Sequence, residues 1–197
     1  MERHQDTAKT AVMKPKRPGK KQGQTGELST FWKVKKGHEK QLRQTLEALE
    51  KWPIKEKAFA GMRIGTLHDR RWVLFDNDTR MMFATNYDGE WDPYIAAFAE
   101  HNAKAFDMIF AHIEGWPSAG LRDPGILDYI VAHQETAVEY MRFYDGTVHE
   151  IHKALELKKA FDKLVETPAF RKAISDPALK PLLDTVEFQA VLDQAAA

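Results

Sequence analysis

The order in which the hydrophobic periodicity changes along this chain constrains its fold more than any other feature. Across 28–35, Phe31, Lys33 and Lys35 alternate with Trp32 and Val34 in the two-residue period of a strand, closed by Lys36-Gly37. From His38 the period becomes helical, with Leu42, Leu46, Leu49 and Trp52 recurring until Pro53 forbids continuation. The stretch 62–75 ends in the strand-forming run Trp72-Val73-Leu74-Phe75. Asp76-Asn77-Asp78 supplies a turn, and 80–85 returns as the next strand of a hairpin. Asn86-Tyr87-Asp88-Gly89 reads as a second turn. Asp92 as N-cap and Pro93 at the first helical position then open a long helix that carries Ile95, Phe98, Phe106, Ile109, Phe110 and Ile113 and stops at Glu114-Gly115-Trp116-Pro117. A short helix over 124–133 precedes a fourth alternating strand over 137–144.

Strand, helix, strand, strand, helix, strand is the order of the ferredoxin-like βαββαβ unit, so the expected class is α+β, with an antiparallel sheet and helices on one face. A C-terminal helical extension follows, starting with a helix over 148–165. Thr167-Pro168, Asp176-Pro177 and Thr185-Val186 recur at about nine residues and read as successive helix starts. The predicted organisation is a disordered basic tail over 1–26, a ferredoxin-like domain over 27–147 and the helical extension of the same domain over 148–197.

Composition narrows the chemistry. With 197 residues, of which 43% are hydrophobic, the chain is long enough to bury one core without disulfides or structural metal. Cysteine is absent, which removes thiol nucleophiles, Cys-zinc sites and iron–sulfur clusters and leaves histidine, carboxylates and tyrosine. Lys+Arg and Asp+Glu each number 29, so the molecule as a whole has no electrostatic reason to seek nucleic acid or anionic lipid. The exception is the start: Arg3, Lys9, Lys14, Lys16, Arg17, Lys20 and Lys21 oppose only Glu2 and Asp6, and this tail is the one segment suited to touching a nucleic acid. No secretory or membrane-spanning apolar run occurs, and a cytoplasmic setting is expected.

Three groups of residues carry candidate chemistry. In the second helix Tyr94, Phe98, His101, Ala105, Met108 and His112 follow 4-3-4-3-4 spacing, which places His101 and His112 on one stripe among apolar neighbours. A histidine so held, with an open side, is what a haem iron requires of its ligand. On the hairpin, period-two alternation puts His68, Arg70 and Trp72 on one face of the strand and Asp69, Arg71 and Val73 on the other. Arg beside His suits a carboxylate, a propionate or a peroxide. His149 and His152 lie with Lys159 and Lys163 on the polar flank of the last long helix, apart from its apolar residues Val148, Ile151, Leu155 and Phe161, and read as a solvated face.

The segments LHDRRWVLFD (67–76), MMFATNYDGEWDPYI (81–95), IFAHIEGWP (109–117) and AVEYMRFYDG (137–146) together resemble the dimeric α/β-barrel superfamily, over roughly 28–165. Its members include dye-decolourising peroxidases, chlorite dismutases and small haem-degrading monooxygenases. The resemblance implies two ferredoxin-like sheets paired within or between chains, hence a homodimer, and a pocket between sheet and helices. In the small haem-degrading members the iron ligand is a histidine late in the second helix, a place that His112 matches; the peroxidase GxxDG motif is absent. The leading expectation is therefore a haem-binding oxidoreductase of peroxidase or monooxygenase type. His112 is its metal ligand, His101 a second cofactor contact, Arg71 or Arg70 a propionate or peroxide contact, and His68 an acid/base. The alternatives are a cofactor-independent enzyme acting on a small aromatic or carboxylate substrate, and a non-catalytic dimeric binding or cargo protein.

Overall fold

A computed structural model describes residues 19–53 and 63–196. The chain divides into two compact units, Met1–Phe143 and Tyr144–Ala197. The expected disordered tail lies outside the described residues up to position 18. From Gly19 onward the chain is built into the first unit, and a two-residue strand β1 (Lys21–Gln22) turns back through Gly23 onto β2 (Thr25–Lys33).

The other strands of this unit are β3 (Leu67–Phe75), β4 (Arg80–Asp88) and β5 (Gln134–Glu135), and every pairing is antiparallel. The order is β1-β2-β4-β3, with β5 also on β2. This open five-stranded sheet with its helices is an α+β architecture compatible with a ferredoxin-like fold. The expected turn between β3 and β4 is present. Asp76, Asn77 and Asp78 all adopt positive φ, a conformation that Asp and Asn tolerate better than most residues.

Alternation decides what the sheet buries. Leu28, Thr30 and Trp32 on β2, and Met81, Phe83, Thr85 and Tyr87 on β4, face the helices and are almost fully buried. Against them packs α1 (Glu39–Glu50) through Leu42, Leu46 and Leu49. Helices α2 (Trp91–His101), α3 (Ala103–Phe110) and α4 (Ile126–Ala132) complete the same core, with a 3-10 turn at Gly120–Arg122 between the last two. The core is aromatic: Phe83, Phe98 and Phe106 meet one another with centroids 4.6–6.3 Å apart, and Trp32 packs edge-on to Phe110 at 4.9 Å.

Four expectations about the elements need correction. Asn86, Tyr87 and Asp88, expected in a turn, are instead the last residues of β4, opposite Glu27, Gly26 and Thr25. The second helix begins at Trp91 with Glu90 as N-cap, two residues before the expected Asp92 cap, because a proline at the third helical position forfeits only an N–H that has no intrahelical partner. That helix is also two helices. Asn102 leaves the helical region at φ −132°, as a residue whose short polar side chain competes with the helix backbone does readily, and the break lets Phe98 and Phe106 both face the core. The fourth strand is not 137–144 but the two residues of β5. An antiparallel continuation would bring 137–139 alongside Glu27, Gly26 and Thr25, and β1 already occupies that edge.

Residues 136–143 instead form a strap anchored by side chains. The buried Glu27 carboxylate accepts from Ala137 N at 3.0 Å and Lys20 N at 3.2 Å, while the Gln22 amide donates to Arg142 O and accepts from Arg142 N.

In the second unit α5 (Val148–Glu166) opens on a capping box in which Thr147 and Glu150 each satisfy the other's backbone N–H. The expected helix starts recur: Thr167 caps α6 (Pro168–Ala173), Asp176 caps a 3-10 turn at Pro177–Leu179, and Thr185 follows α7 (Lys180–Leu183) to accept from Phe188 N ahead of α8 (Val186–Ala196). No described helix is long and apolar enough to cross a membrane.

Candidate active site

A buried polar cluster that includes a histidine arises from a β-bulge. The β3–β4 register slips between Leu67 and Asp69, so His68 has no direct partner on β4. A one-residue slip sends a side chain to the opposite face of a sheet. His68 therefore leaves the face of Arg70 and Trp72, where alternation had placed it, and joins the face away from the helices. There its Nε2 meets Asp88 Oδ1 at 2.7 Å, with only 5% of the His68 side chain and 10% of the Asp88 side chain exposed.

Asp88 ends β4 directly opposite Thr25, the first residue of β2, and Thr25 Oγ1 donates to Asp88 Oδ1 at 2.8 Å. The strap closes the cluster. Arg142 donates through Nη1 to Thr25 Oγ1, and its Nη2 lies 3.4 Å from His68 Nδ1. These partners assign the imidazole hydrogens: the carboxylate requires Nε2–H as donor, and the guanidinium, which has no lone pair to offer, requires Nδ1 as acceptor. The arrangement is a carboxylate-oriented histidine whose second nitrogen presents a lone pair to a fixed cation. A separate open cleft of about 560 Å³ at that end of the sheet is lined by Lys20, Lys21, Tyr87, Glu90 and Trp91, and by none of Thr25, His68, Asp88 and Arg142.

The other residues singled out from the sequence are dispersed. Arg71 is exposed on the face away from the helices, opposite Ala84. Arg70 lies opposite Thr85; burial of its guanidinium lowers its pKa, with Tyr94 nearby opposing the shift, even though the residue as a whole reaches solvent. His101 is the last residue of α2, with Glu100 Oε2 at 3.9 Å. His112 lies beyond the end of α3, so the break at Asn102 and the end at Phe110 remove the single stripe on which His101 and His112 were expected. His112 Nδ1 lies 3.0 Å from Nδ1 of His38. The pair sits by Lys35, two residues beyond the end of β2, whereas Thr25 is its first residue; about 25 Å of strand separates the two histidine clusters. His149 and His152 are exposed on α5, as expected.

Haem, the cofactor implied by the resemblance, was expected between sheet and helices. As packed in this structure that space does not fit it. The cavity bounded by Trp32, Phe83, Phe98, Phe106, Phe110 and Trp116 amounts to about 20 Å³, against the roughly 300 Å³ or more of a cofactor pocket. Among the described residues no group of three or more His, Asp or Glu side chains is arranged to hold a metal ion.

Thr25, Asp88 and Arg142 were not singled out from the sequence. Thr25 falls in the expected tail, Asp88 in an expected turn and Arg142 in an expected strand. The signal that marks Asp88 is its place at the last ladder position before Gly89, but its partners lie 20 and 63 residues away. No family model matches the chain, and the searches of curated proteins and of solved structures returned no match.

Proposed function

We propose that this protein is a cofactor-independent acid–base enzyme acting on a small carboxylate-bearing substrate. The observation that carries the reading is the buried His68–Asp88 pair with Arg142 on its far nitrogen. In this reading His68 Nδ1 takes the proton from the substrate. Asp88 holds the ring in orientation and offsets the charge of the imidazolium that forms. The long 3.4 Å contact between Arg142 and His68 is the one that yields: a substrate carboxylate draws the guanidinium to itself and brings its own acidic proton to the vacated lone pair. An acidic C–H next to a carbonyl, as in a 2-oxo acid, is the proton such a base removes.

The reading also keeps the superfamily resemblance, and with it a homodimer. Phe31, Met82 and Val73 align across three strands on the face away from the helices, and Phe75 packs on Phe31 at 6.4 Å. Such a row supports cover by a second copy.

The test is proton exchange in D₂O. Pyruvate, 2-oxoglutarate and phenylpyruvate are incubated with the protein, and loss of the C3 proton signal is followed by NMR. Catalysed exchange of at least one of them, abolished by His68→Gln and shifted to higher KM by Arg142→Gln, is expected. Exchange no faster than in buffer for all three, or exchange indifferent to His68→Gln, overturns the assignment.

A further inference from the structure

The His38–His112 pair takes no part in the chemistry proposed for the other end of the sheet, and its geometry suits a different ligand. His38 is the N-cap of α1, with no side-chain capping bond; His112 is held by backbone bonds, its carbonyl accepting from Lys35 N at 2.8 Å and its N–H donating to Ile109 O. Both positions are thus set by the fold, and the two Nδ1 atoms stand 3.0 Å apart. As they stand, one ring donates a single proton to the other.

Two imidazole nitrogens at that separation are also spaced as neighbouring ligands of one metal ion. With metal–nitrogen bonds of about 2.0 Å, a 3.0 Å edge closes an N–M–N angle of about 97°. That is the cis angle of a square-planar or tetragonal ion; tetrahedral coordination needs an edge of about 3.3 Å. The rings need only turn so that each lone pair points at the ion and not at its neighbour. His112 also lines a surface groove of about 340 Å³ with Gln41, Gln44, Thr45 and Met108, from which water or a small anion can complete the coordination.

We propose that His38 and His112 form a two-histidine site for a tetragonal divalent transition-metal ion of the Cu²⁺ or Ni²⁺ class. The Lys35 ammonium, bound to Ala111 O at 2.8 Å, holds the affinity below that of a site with an anionic ligand.

Residue-resolved NMR of the full chain with sub-stoichiometric Cu²⁺, buffered by glycine, tests the site through paramagnetic broadening. Broadening centred on Lys35, Gln41 and His112 is expected. His38→Gln and His112→Gln should each raise the Cu²⁺ concentration needed at least tenfold, and His149→Gln/His152→Gln should leave it unchanged. The amide spectrum of each variant reports that it remains folded. Broadening confined to His149 and His152, or broadening near Lys35 that survives both single variants, overturns the proposal.

Discussion

Asp88→Ala is the substitution whose cost the structure sets most directly. The carboxylate is nine-tenths buried and accepts hydrogen bonds from His68 Nε2 and Thr25 Oγ1. A hydrogen bond to a charged group contributes about 1.5–3 kcal/mol, and removing one partner of a buried charged pair costs about 3–5 kcal/mol. The variant leaves the His68 N–H and the Thr25 hydroxyl buried without their acceptor, so a loss of about 4 kcal/mol is expected. With a urea slope of about 2 kcal/mol per M, the midpoint falls by about 2 M. Tryptophan fluorescence is the appropriate assay, because Trp32, Trp52, Trp72, Trp91 and Trp116 all lie in the first unit and report its unfolding alone. A cycle with His68→Ala should return a coupling of about 1–3 kcal/mol. A midpoint within about 0.5 M of the parent, together with a coupling near zero, would refute the reasoning, since the pair would then be a solvated contact and not a buried one.

Four further outcomes are expected. Gly120→Ala should lower the urea midpoint more than Gly37→Ala: both glycines have positive φ, but a Cβ at Gly120 meets Asp107 Oδ1 at 2.2 Å while one at Gly37 meets nothing, so a cost of about 1 kcal/mol at Gly37 rises to at least about 2 at Gly120. Because the folded His112 pKa lies below the ordinary 6.5, the unfolded chain binds the extra proton first; the stability this residue contributes is fully present above pH 6.5 and is lost as pH falls through the folded value, and His112→Gln should flatten that part of a stability–pH profile. Titration with haemin should leave the Soret band of free haemin unshifted, whether or not His112 is replaced by Ala; a sharp red-shifted band lost in His112→Ala restores the haem reading. Light scattering at micromolar concentration should give twice 22.6 kDa, and Val73→Lys, placed on the exposed sheet face, should return the mass to that of one chain.

The β3–β4 turn and the helix starts of the second unit were legible because their causes are local. Asp76-Asn77-Asp78 adopts positive φ through its own side-chain chemistry, and Thr147, Thr167, Asp176 and Thr185 each cap the backbone N–H two or three residues ahead. Alternation alone puts Leu28, Thr30 and Trp32 on one face of β2, but that this face meets the helices is decided by packing.

What only tertiary structure decided are the choices that depend on residues far apart in the chain. Whether 137–144 becomes a strand depends on whether the edge of β2 is vacant, and β1, from a segment that reads as tail, fills it. The face that His68 occupies depends on one slipped residue in the β3–β4 ladder, which period-two counting from Trp72 does not register. The candidate site joins Thr25, His68, Asp88 and Arg142 across separations of up to 117 residues. Each of these residues looks locally like a tail, strand or turn residue. Their chemistry exists only once the sheet has closed and the strap, held by Glu27 and Gln22, has carried the Arg142 guanidinium to the open nitrogen of His68.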